Sequence, residues 1–260
     1  MRPLTIFEWF GIQLPANECY RLIRNAGFDG VLFWWDGALQ PDYKSRPDLA
    51  RKAGLCVENA HLPFEHANNL WLDNAAGDEY AAQMLRWVDE CADFDIPTAV
   101  FHLPPPPVHA KGVDRMKRMV ERAEKRGVRI ALENLRVVEH LHHVFQNIHS
   151  DALGFCFDSG HQNCRTPNED LLSKYGNRLI ALHLHDNDGF VTGAEPEDQH
   201  KLPFDGTVNW QKTMAQIKAS NHTGAIALEA MPIGYENLLD KPGKFLELAY
   251  DRATRLRGMT

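Results

Sequence analysis

The chain has 260 residues with a net charge of −7 at pH 7, and 44% of its residues are hydrophobic against 24% charged. This composition argues against a disordered or fibrous protein, and the acidic balance argues against a general binder of nucleic acid, which needs clustered Lys and Arg. No apolar run approaches the roughly 18 residues of a membrane span, and the first residues lack the pattern of a secretory signal. We therefore expect a cytoplasmic protein without a membrane partner.

Short apolar or β-branched runs alternate with longer amphipathic segments along the whole chain, with no linker or low-complexity tract between them. This alternation is typical of repeated βα units. The runs predicted as strands cover residues 4–9, 30–35, 55–60, 98–103, 129–133, 154–158, 179–184 and 225–230. Helices are predicted over 16–25, 78–94, 113–125, 139–150, 209–220 and 235–257. Glycines that end a helix before the next strand are expected at Gly27, Gly54, Gly127, Gly176 and Gly224.

Eight strands in a chain of this length predict one (β/α)8 TIM barrel, a single domain over residues 1–260. A doubly wound open sheet is the main structural alternative, but it would usually show a glycine-rich phosphate turn after the first strand, and the sequence has none. The longer connections follow the strands and cover 36–48, 61–77, 104–112 and 186–207. In a barrel such connections form the carboxyl-terminal face, where catalysis takes place. The five cysteines form an odd set without CxxC spacing, so a disulfide framework is not expected.

Carboxylates and an imidazole stand at the ends of the last four predicted strands, at Glu133, Asp158, His183 and Glu229. A parallel barrel directs its strand ends at one pocket, so these residues should be neighbours. A single glutamate could equally pair with Arg or Lys. Four such groups in one pocket would cost several kcal/mol each unless a cation or hydrogen bonds compensate. The sequence therefore predicts a site for one divalent metal ion.

Other side chains are expected around this quartet. His183 and His185 share one face of their strand, and we expect one of them to reach the metal. The aromatic rings after the second strand suit a wall against the apolar face of a sugar, and they suit a plain core equally well. Further metal or substrate ligands are predicted at His61, His102, His161, Asp198 and His200, and pocket-wall residues at Glu8, Trp34 and Trp35. Histidines interpreted as ordinary polar residues are His66, His109, His140, His142, His143, His149 and His222.

These motifs together resemble those of the xylose-isomerase-like TIM-barrel superfamily, which includes ketohexose 3-epimerases, hydroxypyruvate isomerases, inosose-converting enzymes and endonuclease IV. The segments that carry the resemblance are ALEN at Glu133, DSGH from Asp158, HLHD from His183, the DQH segment at Asp198 with the glycine turn after it, and ALE at Glu229.

For the sugar-active members, the resemblance implies one Mn, Mg, Co or Zn ion held by the quartet. It further implies Glu133 and Glu229 as the acid/base pair and His161 as a residue that orients a substrate oxygen. The reaction would be proton abstraction beside a carbonyl through an enediolate, on a small-molecule carbohydrate substrate. Members are often dimers or tetramers, so a homo-oligomer is expected by analogy. The stretch HDNDGF lacks the arginine that the epimerases commonly place after the strand-seven histidine, which argues against 3-epimerisation in particular.

Two other functions stay open. Endonuclease IV holds three zinc ions with nine ligands, and all nine residue types occur here in order, as the quartet plus His61, His102, His161, Asp198 and His200. Cleavage of a phosphodiester at an abasic site is then the alternative. The acidic loop GAEPEDQH and the sparse basic residues of the strand-end loops argue against a nucleic-acid partner. Those basic residues are Lys44, Arg46, Lys111, Arg136, Arg165 and Lys201. The third function is a non-catalytic barrel stabilised by metal, against which the two intact glutamates count.

Overall fold

The computed structural model describes residues 1–105, 107–195, 197–220 and 222–260, and in these residues eight parallel strands form a barrel in the order β7-β6-β5-β4-β3-β2-β1-β8. The barrel closes between its outer strands, where the Leu184 amide donates to the Ala227 carbonyl at 2.9 Å and the Glu229 amide donates to the Leu184 carbonyl at 3.1 Å. The predicted single (β/α)8 barrel is confirmed. The strands are β1 Leu4–Phe7, β2 Gly30–Trp34, β3 Cys56–His61, β4 Thr98–Phe101, β5 Arg129–Glu133, β6 Leu153–Asp158, β7 Leu179–His183 and β8 Ile226–Leu228.

Helices pack around the barrel and bury one apolar face each. In α4, Val113, Met116, Val120 and Ala123 recur three and four residues apart and are buried. Most charged side chains between them are exposed, and Arg115 is the buried exception. The α-helices in the described residues are α1 Ala16–Ala26, α2 Arg46–Lys52, α3 Ala75–Asp93, α4 Ala110–Arg126, α5 Glu139–Asn147, α6 Ser159–Cys164, α7 Leu171–Tyr175, α8 Trp210–Ala219 and α9 Pro242–Arg257. The sequence did not predict α2, α6 and α7, because helices this short show too few turns for a 3.6-residue period.

Three of the five predicted helix-ending glycines adopt the left-handed conformation, with φ of 111° at Gly27, 82° at Gly54 and 72° at Gly127. Gly176 also ends a helix, as the C-cap of α7, whereas the prediction was wrong for Gly224, because α8 ends earlier, at Ala219. Gly176 has φ −59° and begins a short 3-10 turn that continues helix α7, and Gly224 does not have a positive φ.

The apolar core has two parts. The larger part lies between the strands and the surrounding helices. The smaller part is a cluster of four small or medium side chains, Val100, Ala131, Cys156 and Ala181. In β5 and β6, Ala131 and Cys156 come two residues before Glu133 and Asp158, so by strand alternation they lie on the same side of the barrel wall and beneath them. This cluster is the floor under the strand-end residues.

None of the helices in the described ranges is both long and apolar enough to cross a membrane. The five cysteines, all within those ranges, are free thiols, and Cys56 is exposed. A disulfide framework is therefore absent, as the irregular cysteine spacing predicts.

Candidate metal centre

The ends of β5, β6, β7 and β8 bring four acidic or imidazole side chains together. Glu133, Asp158, His183 and Glu229 are all buried and each offers an oxygen or nitrogen atom, and these atoms lie within 4.8 Å of one another. Strand pairing produces this proximity, since Asp158 is opposite His183 in the β6–β7 ladder and the Leu184 carbonyl holds the backbone of Glu229. Four residues far apart in the sequence thus share one pocket.

Glu133 is the centre of the pocket and is 1% exposed. Its Oε2 lies 3.2 Å from His102 Nε2, 3.2 Å from His183 Nδ1 and 3.6 Å from His61 Nε2. Its Oε1 lies 3.1 Å from His161 Nδ1. One carboxylate therefore faces four imidazoles. Two of them come from the ends of β6 and β7, and the other two come from the ends of β3 and β4.

Asp198 and His200 approach from the loop after β7. Asp198 Oδ2 lies 2.8 Å from His161 Nε2, 3.0 Å from an Arg165 guanidinium nitrogen and 3.4 Å from His200 Nε2. His200 Nδ1 donates to the backbone carbonyl of Glu229 at 2.8 Å. The structure thus brings all nine sequence-predicted metal-capable residues into one pocket, where His161 links Glu133 to Asp198.

The ionisation of these groups is set by their mutual contacts. Burial by itself raises the pKa of Glu133, but the charges of His102 and His183 lower that pKa well below its usual value. Burial likewise opposes ionisation of Glu229, and His183 and His200 lower its pKa to about 2. For His183, burial lowers the pKa, and nearby Cys156, Glu229 and Glu133 raise it well above its usual value. Glu133 and Glu229 are therefore ionised at neutral pH, and they favour the protonated form of His183.

Several ligand-type atoms in the pocket lack hydrogen-bond partners among the described residues. They are Glu133 Oε2, both ring nitrogens of His183, His185 Nδ1 and Asp198 Oδ1. Leaving buried polar atoms unpaired costs free energy, and imidazole nitrogens with carboxylate oxygens are the donor set of zinc, manganese and related ions. The residues present therefore fit a divalent cation held by Glu133, Asp158, His183 and Glu229.

The three predicted wall residues have different surroundings. Trp34 stacks on His61, with ring centroids 4.8 Å apart, and so lies beside the pocket. The prediction for Trp35 was wrong. Its indole Nε1 donates to Glu90 at 2.9 Å and its ring packs on Tyr43 at 4.8 Å, on the helix side of the wall, because successive side chains of a strand point to opposite faces.

Glu8 is 3% exposed, and its carboxylate is bound by other side chains of the chain rather than presented to the pocket. It accepts hydrogen bonds from the Tyr20 hydroxyl and from the Arg46 guanidinium, the latter at 3.0 Å. Burial raises the pKa of Glu8, and Arg46 and Tyr20 partly offset that rise. The prediction of a wall residue that meets the substrate was therefore wrong for this carboxylate.

Sequence reasoning missed Phe64, and it left Arg165 and His185 without an assigned contact in the pocket. Phe64 stacks on His102 with centroids 5.0 Å apart and is 42% exposed. Arg165 pairs with Asp198, and His185 contacts Asp158 at 3.1 Å. Arg165 carried a usable signal, since it follows His161 by four residues and so lies on the same face of a short helix. Phe64 lies in a loop, where no period identifies which way a side chain points.

Comparisons with known proteins agree with this fold. Residues 20–244 match the family described as xylose isomerase-like TIM barrel. An uncharacterized protein of Sinorhizobium fredii, y4fM, is 32% identical over 146 residues, which are 52% of this chain and 43% of that protein. The chain thus matches less than half the length of this relative.

Solved structures of similar fold include sugar epimerases. D-psicose 3-epimerase from Clostridium cellulolyticum H10, with D-tagatose, superposes with a TM-score of 0.76 at 13% identity, covering 98% of this chain and 99% of that one. A xylose isomerase domain protein from Alicyclobacillus acidocaldarius superposes with a TM-score of 0.73 at 17% identity, covering 100% and 99%. At these identities the likeness shows the fold. The match over residues 20–244, together with eight strands that end in these groups, shows that the chain belongs to the xylose isomerase-like TIM barrel family.

Proposed function

We propose that the protein is a divalent-metal-dependent isomerase or epimerase that moves a proton beside the carbonyl of a small polyhydroxy compound. The observation that carries the proposal is the pair of glutamates on His183, whose Nδ1 lies 3.2 Å from Glu133 and 3.0 Å from Glu229. Two carboxylates that face the same point in the pocket suit a reaction in which one removes a proton from a carbon and the other returns a proton to a carbon. The sugar epimerases among the proteins of similar fold are consistent with this class of substrate.

Glu133, Asp158, His183 and Glu229 would hold the ion, which when bound would polarise a substrate carbonyl and an adjacent hydroxyl. Glu229 is 8% exposed against 1% for Glu133, so Glu229 is the more accessible of the two bases. With its pKa lowered to about 2 by His183 and His200 against the effect of burial, Glu229 is ionised and ready to accept a proton at neutral pH. We assign the first proton transfer to Glu229 and the second to Glu133.

His161 lies between the carboxylates of Glu133 and Asp198 and holds a proton there. Its Nε2 donates to Asp198 at 2.8 Å, and its Nδ1 donates to the Asn134 carbonyl at 2.9 Å and lies 3.1 Å from Glu133. Burial lowers the pKa of His161, but Asp158 and Asp198 with Glu133 raise it well above the usual value. A charged imidazole at this position stabilises negative charge that develops on a substrate oxygen next to Glu133.

The aromatic side chains give the pocket an apolar wall. Trp34 stacks on His61, and Phe64 stacks on His102 and meets Trp34 edge-on at 5.4 Å. Such rings pack well against the C–H face of a sugar. The pocket therefore combines one apolar wall with the polar, charged side chains at the strand ends, as a polyhydroxy carbonyl compound requires.

The proposal is tested by hydrogen exchange. Metal-loaded protein is incubated in deuterated water with a panel of ketoses, aldoses and hydroxy-keto acids, and deuterium beside the carbonyl is read by NMR. We expect incorporation with at least one compound, and none with the Glu229→Gln variant or with chelated protein. No incorporation with any compound would remove the proton-transfer mechanism, and full activity of Glu229→Gln would remove the site assignment.

A second function, zinc-dependent cleavage of a phosphodiester at an abasic site, is favoured by one observation. His61, His102 and Glu133 form a further group whose ligand atoms lie within 4.8 Å of one another, separate from the groups at Asp198. This group could hold a second zinc ion beside the one at the quartet, as a site with up to three zinc ions requires. Basic side chains near the pocket are paired with acids, which leaves little positive charge for a phosphate backbone. The pairs are Arg165 with Asp198 at 3.0 Å, Arg136 with Glu195 at 3.0 Å and Lys201 with Asp188 at 2.6 Å.

Metal content separates the functions. We expect about one ion per chain and no nicking of an oligonucleotide that contains an abasic site. About three zinc ions with nicking would favour the nuclease instead. Bound metal with neither exchange nor nicking would favour a non-catalytic barrel that the ion stabilises.

A further inference from the structure

His185 lies two residues beyond the quartet residue His183 and is completely buried, with 0% of its surface exposed. Its backbone is fixed by Ser159, whose hydroxyl donates to the His185 carbonyl at 2.7 Å and accepts from the His185 amide at 3.0 Å. This two-way contact joins the ends of β6 and β7 just past their ladder. The position of the His185 ring is therefore set by the chain on both sides.

The ring nitrogen Nε2 of His185 faces the carboxylate of Asp158, at 3.1 Å from both oxygens. A carboxylate oxygen accepts, so Nε2 of His185 is the donor of this hydrogen bond. Asp158 Oδ1 also accepts from the His161 amide at 2.6 Å. Donors at both oxygens prevent the carboxylate from turning about its last bond, and residues that orient a ligand in this way contribute to metal affinity.

The His185 ring occupies a slot between Gly160 and His200. A Cβ atom at Gly160 would lie 1.9 Å from His185 Cε1, so the ring needs a glycine in the DSGH segment. On the other face the His200 ring stacks at 4.0 Å between centroids with 12° between planes. His200 belongs to the loop that also carries Asp198, so the same ring that holds Asp158 supports this loop.

The stacking argues against His185 as a ligand in its own right. Ligand atoms of His185, Asp198 and His200 come within 4.8 Å of one another, which by distance alone fits an ion. An imidazole lone pair lies in the plane of its ring, so an ion bound by two imidazoles must lie near both planes. Two nearly parallel planes about 4 Å apart have no such shared point. His185 Nε2 is also closer to Asp158, at 3.1 Å, than to Asp198, at 3.6 Å.

We propose that His185 is a positioning residue, which fixes the Asp158 carboxylate for metal binding and couples it through His200 to the loop after β7. This inference rests on the metal site proposed above. It assigns a role to a histidine outside the quartet, and it explains why Gly160 has no side chain.

The test is calorimetric titration of the metal-free protein with Mn²⁺, without substrate. His185→Phe keeps the stacked ring and removes the donor, and we expect Mn²⁺ affinity to fall by about 10- to 100-fold. His185→Gln keeps a donor and removes the ring, and its affinity should return toward that of the unaltered protein. Gly160→Ala leaves His185 in the sequence but displaces its ring, so its Mn²⁺ affinity should fall as in His185→Phe.

His143→Phe is the matched control, since this histidine is exposed on α5 away from the pocket, and its Mn²⁺ affinity should not change. Thermal unfolding of each metal-free variant separates a folding defect from a metal effect. Unchanged Mn²⁺ affinity in both His185→Phe and Gly160→Ala would overturn this inference and leave the proposed metal site standing. A stoichiometry that falls by one ion in His185→Phe would overturn it in favour of a ligand role. No binding by the unaltered protein would overturn the proposed metal site and this inference with it.

Discussion

Histidines in two regions of the protein have pKa values that shift in opposite directions. One set is His140 and His222, which lie outside the pocket and have lowered pKa values. The other set is His161, His183 and His200 in the pocket, whose pKa values are raised, whereas burial lowers the pKa of their neighbour His102. Outside the pocket, burial lowers the pKa of His140 on α5 to about 4, and burial with Arg2 lowers that of His222, just before β8, to about 4. In the pocket, burial acts the same way on His200, but Asp198 and Glu229 reverse the effect and raise its pKa to about 9. The two sets therefore differ in the carboxylates that face them.

This difference shows what the pocket requires. Ionised Glu133, Asp198 and Glu229 lie close together, and the imidazoles of His161 and His183 gain protons that burial alone would remove. A bound divalent ion would supply the same positive charge and would also pair the atoms without hydrogen-bond partners. At His140 burial outweighs the nearby charge of Glu139, so the pKa stays lowered to about 4 and the ring is neutral at pH 7.

The largest effect is expected from Glu133→Gln, since Glu133 faces four imidazoles. The change removes a ligand and one of the two bases, so turnover should fall by on the order of 100- to 10,000-fold and metal binding should weaken with it. Steady-state kinetics and Mn²⁺ titration measure both. Glu195→Gln is the control, because that side chain is 87% exposed on the same face of the barrel. Equal activity of the two variants would refute the assigned role of Glu133.

A smaller effect, on stability alone, is expected at Glu8, a strand-end carboxylate whose charge is balanced by the chain itself. Arg46→Leu would leave Glu8 buried without its cation, at a cost of about 3–5 kcal/mol in the free energy of unfolding. Urea denaturation measures the loss, and Glu8→Gln combined with Arg46→Leu should recover part of it. Metal affinity should not change, since the Arg46 ion pairs are with Glu8 and Asp42. A matching loss of metal binding would show that the two regions are not independent.

The contrast between these regions also marks what the sequence could predict. Strand ends were placed within one or two residues, because a short apolar run bounded by polar residues is a local pattern. The nine metal-capable residues followed from the rule that parallel strands end at one face. The sides on which Trp34 and Trp35 point did not follow. Strand alternation predicts that the two side chains point to opposite faces, but it does not predict which one faces the pocket. The register of β2 against β3 also shifts after Val31.

Contacts between distant segments were not predictable either. Glu8 was expected in the pocket wall because nothing local indicates that Arg46, 38 residues later, pairs with it. The slot that Gly160 provides for His185 likewise joins two motifs, DSGH and HLHD, that are separate in the sequence. Residue types at strand ends show that chemistry is present, and three-dimensional contacts decide which of those residues are already paired.

A third prediction concerns the exchange of protons for metal. Because the pKa of His183 is raised by nearby Cys156, Glu229 and Glu133 against the effect of burial, a metal ion that binds its nitrogen near neutral pH must displace a proton. We expect about one proton or more released per ion, measured by titration calorimetry in buffers of different ionisation enthalpy. At about 100 times the dissociation constant the ion should also stabilise the fold by about 2.7 kcal/mol. Binding without proton release would contradict the charge state inferred for the pocket.

The smallest effect is expected at His140, whose ring nitrogens lack hydrogen-bond partners among the described residues. Its pKa is about 4 in the folded protein because of burial, against 6.5 for an unperturbed histidine, so the unfolded chain binds a proton that the folded chain excludes. The contribution to stability is therefore full above about pH 6.5 and is lost as the pH falls toward about pH 4. The slope is at most about 1.4 kcal/mol per pH unit.

His140→Leu should remove this slope and leave stability at neutral pH unchanged or slightly higher, because an apolar side chain replaces two unpaired ring nitrogens. Urea denaturation of His140→Leu and of the unaltered protein across this pH range gives the difference in their free energies of unfolding. The pocket histidines titrate alike in both proteins, so their contribution cancels in this difference. His143→Leu, on the exposed side of the same helix, should keep the slope of the unaltered protein. If His140→Leu lost stability with acid as steeply as the unaltered protein, the acid sensitivity would belong to the pocket, and the opposite shifts of the two histidine sets would not hold.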